Sequence, residues 1–310
     1  MVRITTAAFA LAALLTSSAL GSGDHDAVML AKREKAMSKL SPYVRNYLQS
    51  LDPSEYELSL DDEDEDDGLI KRQQDDDGIW GNCKDGHVAI TYDDGPYNYR
   101  PQLDKEWNDA GHKISFFING YNYDCAYDKP YVAYNRKAVR AGNVIGSHSW
   151  GHYNFSAPGT NHAIIDKQIE LVEEMLFKTV GIVPRYFRFP YGAYSSETAH
   201  YIRSKYGYRI IGWSDDAGDA DGDPASKSIS MYKGFKSGEA HLVLNHEPIK
   251  SSVYKVAPAA ISHLNELGVK SVTVDKCIGA YKSPYKVKAQ PQARDSTWTC
   301  EGKPRPGQPN

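Results

Sequence analysis

The sequence predicts an α/β fold in one domain, built on a parallel sheet that is closed or nearly so. Three observations lead there. Short apolar runs of strand length alternate with amphipathic helical stretches through the body of the chain. The first of them, Val88-Ala89-Ile90, reads as a short buried strand. The residues able to do chemistry fall at the C-terminal ends of these strands, where folds of this type place their active sites.

The chain opens with Met1-Val2-Arg3, an Ala/Leu-rich run to Leu15, and then small residues around Ser17, Ser18, Ala19 and Gly21. That is the pattern of a secretory signal over 1–21. Its apolar run is too short to span a membrane, and no later segment is long and apolar enough. A secreted protein, extracellular or in the cell wall, is expected. Residues 22–72 form an acidic prosegment, with one helical stretch around Val28 to Leu51. The block from Asp61 to Asp67 repels itself and reads as disordered. Lys71-Arg72 then resembles a dibasic processing site, so the mature chain would begin at Gln73. Residues 24–72 carry 7 Lys/Arg against 13 Asp/Glu, whereas 73–310 carry 28 against 27. A nearly neutral body argues against nucleic acid as a partner and suits an uncharged polymer. A catalytic domain over 73–285 and a C-terminal tail over 286–310 complete the division.

The four cysteines, Cys83, Cys125, Cys277 and Cys300, fit an oxidising compartment and two disulfides, for which three pairings exist. Cys83 precedes the first strand of the body. Cys277 follows Ser271-Val272-Thr273-Val274, which reads as the last strand. First and last strands are neighbours in a closing sheet, which favours Cys83–Cys277 and leaves Cys125–Cys300.

Within the body, Leu103 to Gly111 reads as a short helix and Ile114 to Ile118 as the next strand. Tyr131 to Gly142 is helical, and Val144-Ile145-Gly146 a strand. Asn161 to Val180 places Ile165, Ile169, Val172 and Leu176 at helical spacing. Phe187 to Phe189, Tyr208 to Ile211 and Leu242 to Leu244 supply further strands.

Thr91-Tyr92-Asp93-Asp94-Gly95-Pro96 ends the first strand with adjacent carboxylates. Two such groups do not both stay ionised comfortably without a cation nearby, which suggests metal on one and proton chemistry on the other. His148 and His152, with three residues between them after the Val144 strand, can present both imidazoles to one ion. With Asp94 they make a three-ligand set with open positions, the catalytic pattern. Arg188, at the end of the Phe187 strand, can hold Asp93 charged and oriented. Asp215, Asp216 and Asp219 enrich another strand end in carboxylates. His246 closes the Leu242 strand and, facing a metal site, is a candidate general acid. Asn154-Phe155-Ser156 is a glycosylation sequon.

Five segments in order, Thr91 to Pro96, His148 to His152, Arg188 to Tyr191, Asp216 to Asp219 and Leu244 to His246, resemble the five motifs of carbohydrate esterase family 4, the polysaccharide deacetylases. The run Phe116 to Gly120 and the secreted layout look most like fungal chitin deacetylases. The resemblance covers about 80–280. It implies a distorted (β/α) barrel and a monomer acting on chitin or chito-oligosaccharides, with Zn²⁺ or Co²⁺ on Asp94, His148 and His152. It further implies Asp93 as base, Arg188 as its orienting partner, the backbone N–H of Tyr191 on the oxyanion, and His246 paired with Asp219 as acid. O-deacetylation of xylan or another glycan, and a non-catalytic chitin-binding role, are the alternatives. Ala220 stands where the family usually has Trp, so stacking faces are expected from Tyr97, Tyr99, Tyr153 or Tyr194 instead.

Overall fold

A computed structural model describes residues 25–60, 74–279 and 283–309. The signal sequence, the acidic block from Asp61 to Asp67 and the Lys71-Arg72 site lie outside them. In chain order the strands are β1 (Tyr56–Leu58), β2 (Ile79–Trp80), β3 (Val88–Gly95), β4 (Ser115–Ile118), β5 (Val144–Ser147), β6 (Ile182–Pro184), β7 (Tyr186–Phe187), β8 (Arg209–Ile211), β9 (Asp215–Asp216), β10 (His241–His246) and β11 (Tyr285–Ala289). Eight of them form one sheet in the order β2-β8-β7-β5-β4-β3-β10-β9, and every pairing in it is parallel. The sheet curls. Its two ends are joined by a single stretch of chain, because β8 pairs with β7 and β2 whereas β9, three residues on, pairs with β10. Ser214 N–H donates to the Leu242 carbonyl across this seam. The result is the distorted (β/α) barrel expected from the sequence, closed by one crossing segment.

β3 and β10 are the central strands. β3 is buried along almost its whole length and β10 over its middle four residues. That burial explains why both read as continuous apolar runs. The helices between strands cover the outside: α1 (25–38), α2 (Pro42–Gln49), α3 (Arg100–Asp109), α4 (Lys129–Arg140), α5 (His162–Val180), α6 (Ser196–Tyr206), α7 (Ala225–Lys233), α8 (Ala257–Glu266) and α9 (Val274–Ile278). α5 is the longest of those from α2 onward. The Asn161 side chain caps its first turn at Ile164 N–H, and it stops at Gly181. Its Ile165, Ile169, Val172 and Leu176 are all within 2 % of full burial, the stripe that the spacing predicts.

Two expected elements differ. Ser271 to Val274 is not a regular strand: only Val272 bridges β3, at Ala89, and Thr273 then caps α9. Ser115 Oγ takes the Val274 N–H, which turns the chain out of the sheet. The helical stretch around Val28 to Leu51 is two helices, because the chain bends at Ser41 and Pro42 starts α2. Proline has no N–H to continue the preceding helix and is suited to a first turn. Cys83 is bonded to Cys277 and Cys125 to Cys300.

Residue 72 is not a boundary of packing. Leu40, Val44 and Leu48 are buried against Phe177, Val183 and Val287. β1 pairs with β11, which pairs with β6, in a second, antiparallel sheet of three strands. Beneath it the buried Glu173 carboxylate accepts from Ser41 N–H at 2.9 Å and from Lys286 Nζ at 2.5 Å. Residues 286–309 are equally engaged: Trp298 and Cys300 belong to the main core. Leu48→Ala should therefore lower stability by roughly 2–5 kcal/mol, the usual cost of a deep Leu-to-Ala cavity. A urea titration of the chain carrying 25–60 would show it, and an unchanged midpoint would mean that α2 contributes nothing to the body.

Candidate active site

The ends of β3, β5, β7 and β10 converge on one cleft of about 500 Å³, lined among others by Asp93, Asp94, His148, His152, Tyr191 and His246. Asp93 and Asp94 face it together because the strand bulges between them. The β3–β4 register shifts between Asp93 and Gly95, and Asp94 adopts φ 68°. In a regular strand the two side chains would point to opposite faces.

The loop after β5 is fastened along its length. His148 N–H donates to Ile118 O, Gly151 N–H to Gln168 Oε1, and Gly307 N–H to Gly151 O. Asn119 Nδ2 donates to the carbonyls of His148 and Ser149. Trp150, fully buried between the two histidines, donates its indole N–H to Pro304 O at 3.0 Å. Ser149 and His152 lie at φ 67° and 52°, so the loop is neither a helical turn nor extended chain. It brings the two imidazoles to 5.0 Å between centroids. One donor atom each from Asp94, His148 and His152 lies within 4.8 Å of the others.

These residues fit a metal ion. His148 Nδ1 is bonded to the Arg188 carbonyl at 2.8 Å, which fixes the proton there and leaves Nε2 as a lone pair, 3.6 Å from Asp94 Oδ1. Burial pulls both His148 and His152 down to about 3, so both would meet a cation as neutral imidazoles. Asp94 Oδ1 is buried without a hydrogen-bond partner. Burial, reinforced by Asp93, pushes its carboxyl up to about 7 against the favourable charge of His246. A cation among the three would ionise Asp94 and satisfy that oxygen.

Two ionisable groups flank the triad, each with its own partner. Asp93 Oδ1 accepts from Arg188 Nη1 at 2.8 Å. Arg188 is fixed in turn by Thr91 Oγ1 (2.6 Å) and the carbonyls of Ile211 (3.1 Å) and Gly212 (2.7 Å), with Phe117 under its guanidinium. Burial raises the Asp93 carboxyl above the ordinary range, although Arg188 opposes it. His246 Nδ1 is 2.7 Å from Asp219 Oδ1. Burial alone would lower His246, but the bond and charge of Asp219, with Asp93 and Asp94, carry it up to about 9. Asp219 stays below its ordinary value despite burial, because His246 and Ser252 both donate to it. Tyr191 stands at the mouth, 67 % exposed at φ 59°, its ring edge-on to His152 at 4.4 Å.

Other residues complete the site without a local signal in the sequence. Glu247, fully buried after His246, accepts from Tyr97 N–H and from both Nε (2.8 Å) and Nη2 of Arg100. The pair lies so close over Gly95 that a Cβ there would stand 2.0 Å from Glu247 Oε2. Ser252 is placed by the turn after β10. Of the tyrosines expected to offer stacking faces, Tyr153 is buried and Tyr194 lies outside this cleft. Tyr97 and Tyr99 belong to a run of edge-to-face rings, Tyr123–Tyr97–Tyr99–Tyr254, with successive centroids 5.4, 5.1 and 5.6 Å apart, of which Tyr123 lines the cleft. The end members Tyr123 and Tyr254 are 51 % and 45 % exposed. Ala220 lines the cleft. Asp215 turns away to His241, and Asp216 receives Gly218 N–H.

Residues 81–211 match the family model for polysaccharide deacetylase. A chitin deacetylase of Pestalotiopsis sp is 30 % identical over 194 residues, covering 62 % of this chain and 63 % of that protein. A chitin deacetylase of Arthroderma benhamiae is 28 % identical over 63 % of this chain, which spans 52 % of its length. The solved chitin deacetylase of Colletotrichum lindemuthianum superposes with a TM-score of 0.62 at 26 % identity, over 66 % of this chain and 93 % of that one.

Proposed function

We propose that this chain, whose residues 81–211 match the family model for polysaccharide deacetylase, hydrolyses the N-acetyl groups of chitin or chito-oligosaccharides, giving acetate and glucosamine units. The observation that carries this reading is a single cleft in which an Arg-held carboxylate and an Asp-held imidazole flank three donor groups placed to hold a metal ion. A Zn²⁺ ion held by Asp94, His148 and His152 would polarise the amide carbonyl and acidify a water. Asp93 takes the proton of the attacking water as its oxygen bonds to the carbonyl carbon. Arg188 keeps that carboxylate aimed. The Tyr191 backbone N–H donates to the oxygen on which charge develops. His246, held by Asp219 through Nδ1, gives its Nε2 proton to the nitrogen as the C–N bond breaks.

The half-exposed ring of Tyr123 on the cleft wall offers a face to a pyranose, which supports a sugar over a small amide. Ala220 leaves one wall of the cleft without the family's usual indole, which keeps acetylxylan as the second reading. We further propose secretion after loss of residues 1–21, cleavage after Arg72 and a glycan on Asn154, whose Oδ1 bonds Ser156 in an exposed turn. The two disulfides suit an oxidising compartment, and no helix among the described residues is long and apolar enough to cross a membrane.

The test is acetate release from chitin oligomers, acetylxylan and peptidoglycan by protein carrying residues 25–310. Release from chitin oligomers is expected. Binding to chitin with no release from any substrate would overturn the enzymatic reading.

The pH profile gives an independent check. His246 must be protonated to act as acid, so kcat/KM falls as pH rises through its folded pKa. A cation at the triad brings that limb below 9, and Asp219 holds it up. Asp219→Asn should move the basic limb down by about one unit or more, because a hydrogen bond between charged groups is worth about 1.5–3 kcal/mol and one unit is about 1.4. A basic limb that stays in place would remove His246 from the acid role.

A further inference from the structure

The described contacts between residues 25–60 and the body reach across Arg72, and a cut after that residue breaks none of them. They are of three kinds. The first is apolar. Val44 and Leu48 of α2 are fully buried, and with Leu40 they lie against Phe177 of α5, Val183 of β6 and Val287 of β11. The Tyr47 ring meets Phe177 edge-on at 5.5 Å. The second is backbone pairing. Tyr56, Glu57 and Leu58 stand opposite Ala289, Lys288 and Val287, and Ser59 N–H extends the ladder by donating to Lys286 O at 2.9 Å. β11 is the middle strand of its sheet, so without β1 one of its sides would become an open edge. The third is a buried charge. Glu173 is fully buried, and Ser41 N–H is one of its donors beside Lys286 Nζ. Losing Ser41 would take a donor from a carboxylate that burial makes costly to leave short of partners.

Resting on the cleavage after Arg72 put forward above, we propose that residues 25–60 are not shed by the cut. They stay in place as a short second chain, and the processed protein is a two-chain molecule. The face made by α5, β6 and β11 is then an interface, and its partner is this segment. The association is non-covalent, because 24–72 contain no cysteine and both disulfides lie within 83–300. An apolar centre joined to strand addition along one sheet edge is a build that holds separate chains together. Shedding would bare Phe177, Val183 and Val287 at once. The interface also backs the active site. β6 runs through Arg185 into β7, and Arg188 follows directly after β7. Both partner strands in the small sheet lie beyond the segment matched by the family model or at its far side from the signal sequence, and β1 precedes that segment altogether.

The test cuts the folded chain at a chosen place. A thrombin site replaces residues 67–72 in protein carrying residues 25–310, and the thrombin-treated product is run through gel filtration. Both fragments should leave the column in one peak and part on a denaturing gel run without reductant. The urea midpoint of the cut protein should rise with protein concentration, as it does when unfolding also separates two chains, whereas that of the uncut chain should not move. Leu48→Asp puts a charge in the apolar centre and should free the small fragment after cutting. Glu57→Gln, exposed on β1, should leave it bound. A parent fragment that elutes apart from the body would overturn the inference, whatever the variants do. The cleavage itself is judged separately, on the N-termini of protein secreted by a eukaryotic host. Gln73 and an upstream N-terminus in the same peak would support both readings, and Gln73 alone would overturn the inference. An uncut chain would remove the cleavage and the two-chain form with it.

Discussion

His148→Ala is expected to lower kcat/KM by on the order of 10³-fold, since a metal supplies several kcal/mol of transition-state stabilisation and each 1.4 kcal/mol is a decade. The side chain is buried, neutral and fixed through Nδ1, with its Nε2 turned to Asp94 Oδ1. Stripping the parent protein with a chelator should have the same effect, and returning Zn²⁺ or Co²⁺ should restore it. Metal content measured alongside rate ties the two together. Full activity in a preparation verified as metal-free would end the metal-assisted scheme.

Asp93→Asn should retain metal yet lose at least about 10²-fold in kcat, the usual contribution of a general base. The carboxamide keeps the shape of the carboxylate. Arg188 keeps Thr91 and two backbone carbonyls as partners, so the barrel should survive the change. Asp94→Asn is the contrasting variant, and it should lose metal first. The acidic limb of the pH profile should vanish in Asp93→Asn, because that limb reports ionisation of the base. Loss of metal from Asp93→Asn with retention in Asp94→Asn would mean that the two adjacent carboxylates have exchanged roles.

The parts of this site that were legible in the sequence are those whose chemistry is local. Thr91 to Pro96, His148 to His152 and His246 announce themselves because each ends an apolar run with residues that a buried strand end would otherwise avoid. The α5 helix was legible from its apolar spacing. What was not legible depends on partners distant along the chain. The left-handed backbone at Asp94 arises from a bulge against β4, and Arg100 gains meaning only from Glu247. Tyr56 to Leu58 looks like part of a polar leader until β11 is known to lie beside it. Ser271 to Val274 has the composition of a strand, yet Ser115 Oγ captures the Val274 N–H and a helix begins. Short strands such as β2, β7 and β9 carry too few residues for any periodicity to show.

The small antiparallel sheet sets the order in which the molecule can be completed during synthesis. Its strands come from near the start, the middle and near the end of the chain, and the two disulfides close loops spanning 194 and 175 residues. A chain emerging from the ribosome holds Leu40, Val44 and Leu48 without Phe177 and Val183 until α5 and β6 have been made, and without Val287 until β11 has been made. Contacts this distant slow folding and prolong the exposure of apolar surface. The loop bearing His148 and His152 receives its Pro304 and Gly307 contacts later still. The loop bearing the two histidines is thus among the last parts of the molecule to be secured, and a chain cut short before residue 304 would lack those contacts around them.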